Sequence, residues 1–93
     1  MKHHNLKSFT YQFEMIVQGE MRAMVRLNDR DYQKDDTVTL HEGFPGVDGY
    51  QYTGKTISAK ISCVDNFGCQ QGYVNLSLSD VGLLIVEDDA AKK

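Results

Sequence analysis

Residues 21–36 read MRAMVRLNDRDYQKDD, and the fold follows from how this stretch divides. Its first half alternates with a period of two. Met21, Ala23, Val25 and Leu27 fall on one face, expected to be core, and Arg22, Met24, Arg26 and Asn28 fall on the other. A strand is therefore expected, carrying two guanidinium groups on its polar side. Asn28-Asp29-Arg30-Asp31 then supplies short polar side chains that bond to their own backbone and turn the chain, with a third arginine among them. Arginine presents a planar fork of donors matched to phosphate or carboxylate, so three within nine residues mark the best functional candidate in the chain. The chemistry points to binding before catalysis.

Before this stretch, Phe9, Phe13, Ile16 and Val17 recur at helical spacing, which predicts an amphipathic helix over 9–18, capped by Ser8 or Thr10 and ended by Gly19. Met1 to Leu6 is expected as a short strand or ordered arm that brings His4 and Lys7 toward the domain. After it, Thr37 to Glu42 alternates again with Val38 and Leu40 inward. Pro45-Gly46 and Asp48-Gly49 are turn signals, and Thr53-Gly54-Lys55 reads as a tight reversal. Ile57, Ala59, Ile61 and Cys63 form the apolar set of a strand over 56–64, with Cys63 a small core residue. A loop over 66–72 leads to a strand over 73–78 with Val74, Leu76 and Leu78 inward. Ser79 to Gly82 is expected to turn the chain, Leu83 to Val86 to add a last strand, and 87–93 to be a frayed tail. One N-terminal helix and five to six strands make an α+β, mainly β domain over 1–86. The expected architecture is a small sheet curled into a β-barrel with the helix packed against it.

The totals agree with one domain. In 93 residues, 41% hydrophobic and 25% charged with a single proline, a chain buries roughly two thirds of its unfolded surface around one core. A net charge of -3 excludes a protein that coats duplex DNA through many phosphate contacts. The charge is uneven: residues 1–34 hold six Lys and Arg against four Asp and Glu, whereas residues 35–93 hold four against nine. A local basic site on an acidic body fits this distribution. No apolar run approaches the roughly 20 residues of a membrane span, and the N-terminus lacks the apolar stretch of a signal peptide. A cytoplasmic protein without a membrane partner is expected, with Cys63 and Cys69 as free thiols. Their spacing is not a zinc signature, and only the distant His3 and His4 would complete a site, so no metal is expected.

At this point the motifs resemble a known family. His4-x-Leu6-Lys7, Phe13, Gly19, Arg26-x-Asn28-Asp29-Arg30-Asp31-Tyr32, Asp36, Glu42, Tyr52-Thr53-Gly54 and Gly72-Tyr73-Val74 look like a small family of bacterial and phage domains of unknown function in the ASCH branch of the PUA-like superfamily. The resemblance implies a PUA-like barrel with a cleft between helix and barrel, and a role in binding RNA or a modified nucleotide. Some ASCH proteins remove acyl groups from N4-acylated cytidine with a lysine two residues after the helix-ending glycine and a threonine three residues later. Here those positions are Met21 and Met24, whose thioethers neither take up a proton nor attack a carbonyl. Enzymatic activity is therefore not expected, and Glu42 is the carboxylate to name if catalysis exists.

The expected binding residues are Lys7, Arg22, Arg26, Asn28, Arg30 and Tyr32, with no catalytic group and no cofactor. Single-stranded RNA or a nucleotide is the expected ligand; a protein partner reached through the acidic half and the 81–86 apolar patch is the alternative. Among the aromatics Tyr32, Tyr50, Tyr52, Phe67 and Tyr73, any that flank a cleft would stack on bases at about 1–3 kcal/mol each. A competing arrangement has Arg26 or Arg30 paired with Asp29, Asp31 or Asp36 to pin the turn. Aspartates in such a turn ordinarily cap backbone N–H groups, and a calcium loop lacks its central glycine and terminal glutamate.

Overall fold

The computed structural model describes residues 1–85, the last two by backbone alone. In chain order the elements are β1 (His3–Phe9), α1 (Thr10–Val17), β2 (Ala23–Leu27), β3 (Thr37–Gly46), β4 (Gly49–Asp65) and β5 (Tyr73–Ile85). They form one mixed sheet in the order β1-β3-β4-β5-β2. Strands β1 and β3 are parallel, and every other pair is antiparallel. Val86 and the expected tail lie outside the described residues.

Alternation decides what the sheet buries. His4, Leu6 and Ser8 of β1 stand in register beside Val38, Leu40 and Glu42 of β3, and all six are buried. Ile57, Ala59 and Ile61 of β4 and Val74, Leu76 and Leu78 of β5 continue that inner face, as their spacing predicts. Helix α1 closes over it with Phe13 and Ile16, both fully buried. Its apolar stripe is narrower than expected, because Phe9 and Val17 are exposed. Neither Ser8 nor Thr10 caps it: the cap residue is Phe9, without a side-chain bond. Gly19 does end it, at φ +83°, a value that favours glycine.

Four expectations are corrected. The first is the closed barrel: β1 and β2 are the two free edges of the sheet, with no backbone ladder between them. What crosses the seam is a side chain, the Arg26 guanidinium, whose Nη2 donates to the Lys7 carbonyl at 2.5 Å. Opposite edges that meet through one side chain require a sheet curled toward closure but left open. The second is the phase of β2. Met24 is 5% exposed, whereas Val25 is 60% and Leu27 50% exposed, so within β2 Met24 and Arg26 share the inward face and the expected phase of Met24 to Leu27 inverts, while Met21, before the strand, packs against the core as expected. Because β2 borders the open seam, the inward row has room for a guanidinium beyond the core methionine.

The third correction concerns turns that prove to be bulges. The reversal between β3 and β4 lies at Gly46–Gly49, as Pro45-Gly46 and Asp48-Gly49 predict. Thr53-Gly54-Lys55, by contrast, sits inside β4: His41 pairs with Thr56 and Gly43 with Tyr52, leaving all three residues opposite Glu42. Gly54 takes φ +93° there. Glu42, only 2% exposed, accepts the Thr53 hydroxyl at 2.7 Å, with Lys55 Nζ at 3.8 Å. In β5, Ser79 pairs with Lys60 and Gly82 with Ser58, so Asp80, at φ +53°, bulges without turning the chain. The expected sixth strand is the continuation of the fifth. The fourth is Cys63, which is exposed because Ser62 is an extra residue between the pairs Ile61–Leu78 and Cys63–Ser77.

Candidate functional site

The turn between β2 and β3 is fixed by its own polar side chains. Asn28 Oδ1 accepts the Tyr32 backbone N–H at 3.1 Å. Asp31 and Asp35 adopt positive φ, which aspartate tolerates better than most residues. Asp36, fully buried, accepts the Lys2 N–H (2.9 Å), the Gln33 N–H (3.0 Å) and His4 Nε2–H (2.9 Å). The His4 bond above all, with the Lys2 N–H next and burial opposing them, holds the Asp36 carboxyl at about 2, below its ordinary 3.8. Tyr32 packs edge-on against His4 at 4.7 Å. The foot of the turn is thereby joined to β1, the strand on the far side of the seam.

These bonds leave Arg26 and Arg30 without a carboxylate partner among the described residues. Asp31 lies 3.5 Å from Lys2 and Asp35 3.4 Å from Lys60, both exposed ion pairs of small energetic value. Asp36 is committed to His4. Among the described residues, no carboxylate comes within ion-pair distance of Lys7, Arg26 or Arg30. The arrangement in which aspartates pin the arginines does not form.

Instead, the three cations line one cavity of about 500 Å³ in the open seam. Strand β1 contributes Asn5 and Lys7, β2 contributes Arg26, and the turn contributes Asp29, Arg30 and Tyr32. Tyr32 is buried, and burial pushes its hydroxyl up in pKa while the nearby Arg26 and Arg30 pull it back down. His41 and Tyr52 complete the wall from β3 and β4. Tyr52 is 59% exposed and meets Tyr50 edge-on at 4.8 Å and His41 at 6.1 Å. Lys7 Nζ lies 5.1 Å from the centre of the Tyr50 ring, within cation–π range. Tyr50 donates its hydroxyl to the carbonyls of Ser8 and His41, and its pKa is raised by burial. His41 donates Nε2–H to Asn5 Oδ1 at 3.0 Å, since an amide oxygen only accepts. A second hollow of about 300 Å³ adjoins, sharing Lys7 and Arg26 and walled by Phe9, Met24 and Val25.

Of the six expected binding residues, Lys7, Arg26, Arg30 and Tyr32 line this one cavity. Arg22 does not: its Nη1 donates to the carbonyls of Ile16 (2.6 Å) and Met21 (2.9 Å), which neutralises the helix C-terminus. Asn28 is absent from the lining and is used within the turn. Asn5 and His41 escaped sequence reasoning because they come from separate strands, whereas Tyr52 is one of the aromatics weighed there as flanking a cleft. The one available signal was the outward phase of Asn5 and Lys7, two residues apart on β1. Phe67 and Tyr73 lie elsewhere, and Met21 and Met24 pack with the core. Among the described residues no cluster of His, Cys, Asp or Glu is arranged to hold a metal, and no helix is long and apolar enough to cross a membrane.

Two comparisons bear on this architecture. Residues 3–78 match the family described as domain of unknown function DUF3850. An uncharacterized 12.9 kDa protein from the GpA 3′ region of Escherichia phage P2 is 36% identical over 63 residues. That match takes in 68% of this chain and 54% of the phage protein, so the chain spans about half of that relative's length.

Proposed function

The chain belongs to the DUF3850 family, a domain of unknown function, so its role must be read from its own cavity, and we propose that it is a non-catalytic module that binds single-stranded RNA or a nucleotide. One observation carries the reading: Lys7, Arg26 and Arg30 face a single cavity with no carboxylate at ion-pair distance among the described residues. Cations left unpaired around a hollow are complementary to phosphate, and arginine binds it through two parallel N–H bonds. Tyr52 adds an exposed aromatic face at the same wall, of the kind on which an unstacked base rests. The resemblance of the motif residues to the ASCH branch points the same way.

Catalysis receives no such support. The described lining holds no serine, threonine or cysteine, and the positions used by acyl-removing relatives of the ASCH branch carry Met21 and the core residue Met24. The test is a titration of labelled short single-stranded RNA and DNA by fluorescence anisotropy, with wild type and with the Arg26→Ala/Arg30→Ala double variant. Wild type binds and the double variant does not; an RNA preference would assign a contact to the 2′-hydroxyl. Failure of wild type at low salt to bind either polymer or a free mononucleotide overturns the proposal.

A further inference from the structure

We infer that the cavity receives a terminal phosphate monoester, on a free mononucleotide or on the phosphorylated end of a strand, in preference to an internal phosphodiester; this rests on the nucleotide reading above. Charge is the first argument. Lys7, Arg26 and Arg30 against the single carboxylate of Asp29 leave the described lining two positive charges in excess. A phosphate monoester carries about -1.5 to -2 at neutral pH, whereas each internal phosphodiester carries one negative charge. Proteins that follow a continuous strand set their cations along a groove that tracks the backbone. Here they converge on one hollow.

The shape of the seam is the second argument. Arg26 Nη2 bonds to the Lys7 carbonyl across the gap, and the same two residues border both hollows. This clasp stands between the cationic cavity and its apolar neighbour walled by Phe9, Met24 and Val25. A strand lying along the seam would have to break the clasp to pass from one to the other, whereas a strand end stops short of it. The cavity is therefore shaped for a terminus.

Donor chemistry is the third argument. The His41 bond engages Asn5 Oδ1 and leaves the Asn5 amide N–H groups available to a ligand. With Lys7, Arg26 and Arg30, the site offers donors from both edges of the seam, and a monoester presents three terminal oxygens to accept them where a diester presents two.

The experiment compares matched ligands by anisotropy and by competition. A short 3′-labelled RNA is prepared with a 5′-phosphate and with a 5′-hydroxyl, and the unlabelled competitors are a nucleoside, its 5′-monophosphate and its 3′-monophosphate. One additional charge-assisted contact corresponds to about tenfold or more in affinity. The phosphorylated RNA is expected to bind about tenfold more tightly than its hydroxyl counterpart, and the monophosphates to compete where the nucleoside does not. Competition by the monophosphates without discrimination between RNA ends would assign the site to free nucleotides and uphold the monoester. Arg30→Gln, which leaves the Arg26 clasp in place, is expected to bring the two RNAs within about twofold at an unchanged melting temperature. Equal binding of phosphorylated and hydroxyl ends, with no advantage for the monophosphates, overturns the inference while the RNA reading stands. No binding by any ligand overturns the reading beneath it.

Discussion

Replacing Asp36 by asparagine removes the group that joins the arginine turn to β1. The buried carboxylate accepts three bonds, from the Lys2 and Gln33 N–H groups and from His4 Nε2–H. Asparagine keeps one acceptor oxygen and points an N–H₂ at a donor that the other oxygen used to satisfy. Loss of a hydrogen bond to a charged acceptor, with a buried donor left unpartnered, costs about 2–3 kcal/mol. Part of that is electrostatic. A carboxyl held at about 2 against an ordinary 3.8 contributes on the order of 2 kcal/mol. The sign follows from linkage. The folded-state pKa is depressed, so this contribution is complete above the ordinary value of 3.8 and is lost as pH falls from there through about 2. Urea unfolding followed by circular dichroism at pH 7 should place Asp36→Asn about 2–3 kcal/mol below wild type. Repeating the series from pH 6 down to pH 2 should narrow the gap by about 1–2 kcal/mol, because only wild type has this carboxylate to protonate. A variant within about 0.5 kcal/mol of wild type at pH 7, or a gap that stays constant down to pH 2, would refute the reasoning.

Two further substitutions separate structural from binding roles. Arg22→Ala uncaps the Ile16 carbonyl and should cost about 0.5–1.5 kcal/mol in chemical denaturation while leaving RNA affinity within about twofold; a large loss of affinity would return Arg22 to the site. Ser8→Ala removes a buried hydroxyl that has no partner among the described residues, so it should be neutral or stabilise by about 1 kcal/mol, a rise of about 4–8 °C in Tm. A fall of similar size would mean that the hydroxyl is bonded in solution.

The contrast between what the sequence predicts and what forms has a physical pattern. Inner-face alternation was legible in the unbulged parts of strands with neighbours on both sides, as for Val38 and Leu40 in β3 or Val74 and Leu76 in β5. It failed in β2, an edge strand, where apolar Val25 and Leu27 face solvent and the inward row holds Met24 and Arg26. Hydropathy cannot fix the phase of a strand whose inner face borders a cavity. Thr53-Gly54-Lys55 and Ser79–Gly82 were read as reversals because bulges and turns draw on the same residues, those that accept positive φ such as Gly54 and Asp80. Each bulge then shifts the alternation beyond it, which is why Cys63 left the core. The site was legible to the extent that it is local: Arg26, Arg30 and Tyr32 are neighbours in sequence. Asn5, His41 and Tyr52 reach the same cavity only through strand register and sheet curvature, neither of which a single strand's pattern contains.

The central claim is that three unpaired cations at the β1–β2 seam bind nucleotide phosphate. The most direct measurement is the salt dependence of single-stranded RNA binding by wild type and by the Arg26→Ala/Arg30→Ala variant. For a single strand the logarithm of affinity falls with the logarithm of salt at about -0.7 per neutralised phosphate charge, so a terminal monoester of about two charges predicts a slope of about -1.4 and a roughly sevenfold weakening over a fourfold rise in salt. The double variant should lose most of both the affinity and the slope. Absence of binding at low salt, or a double variant indistinguishable from wild type, would contradict the account and leave the seam arginine a structural clasp alone.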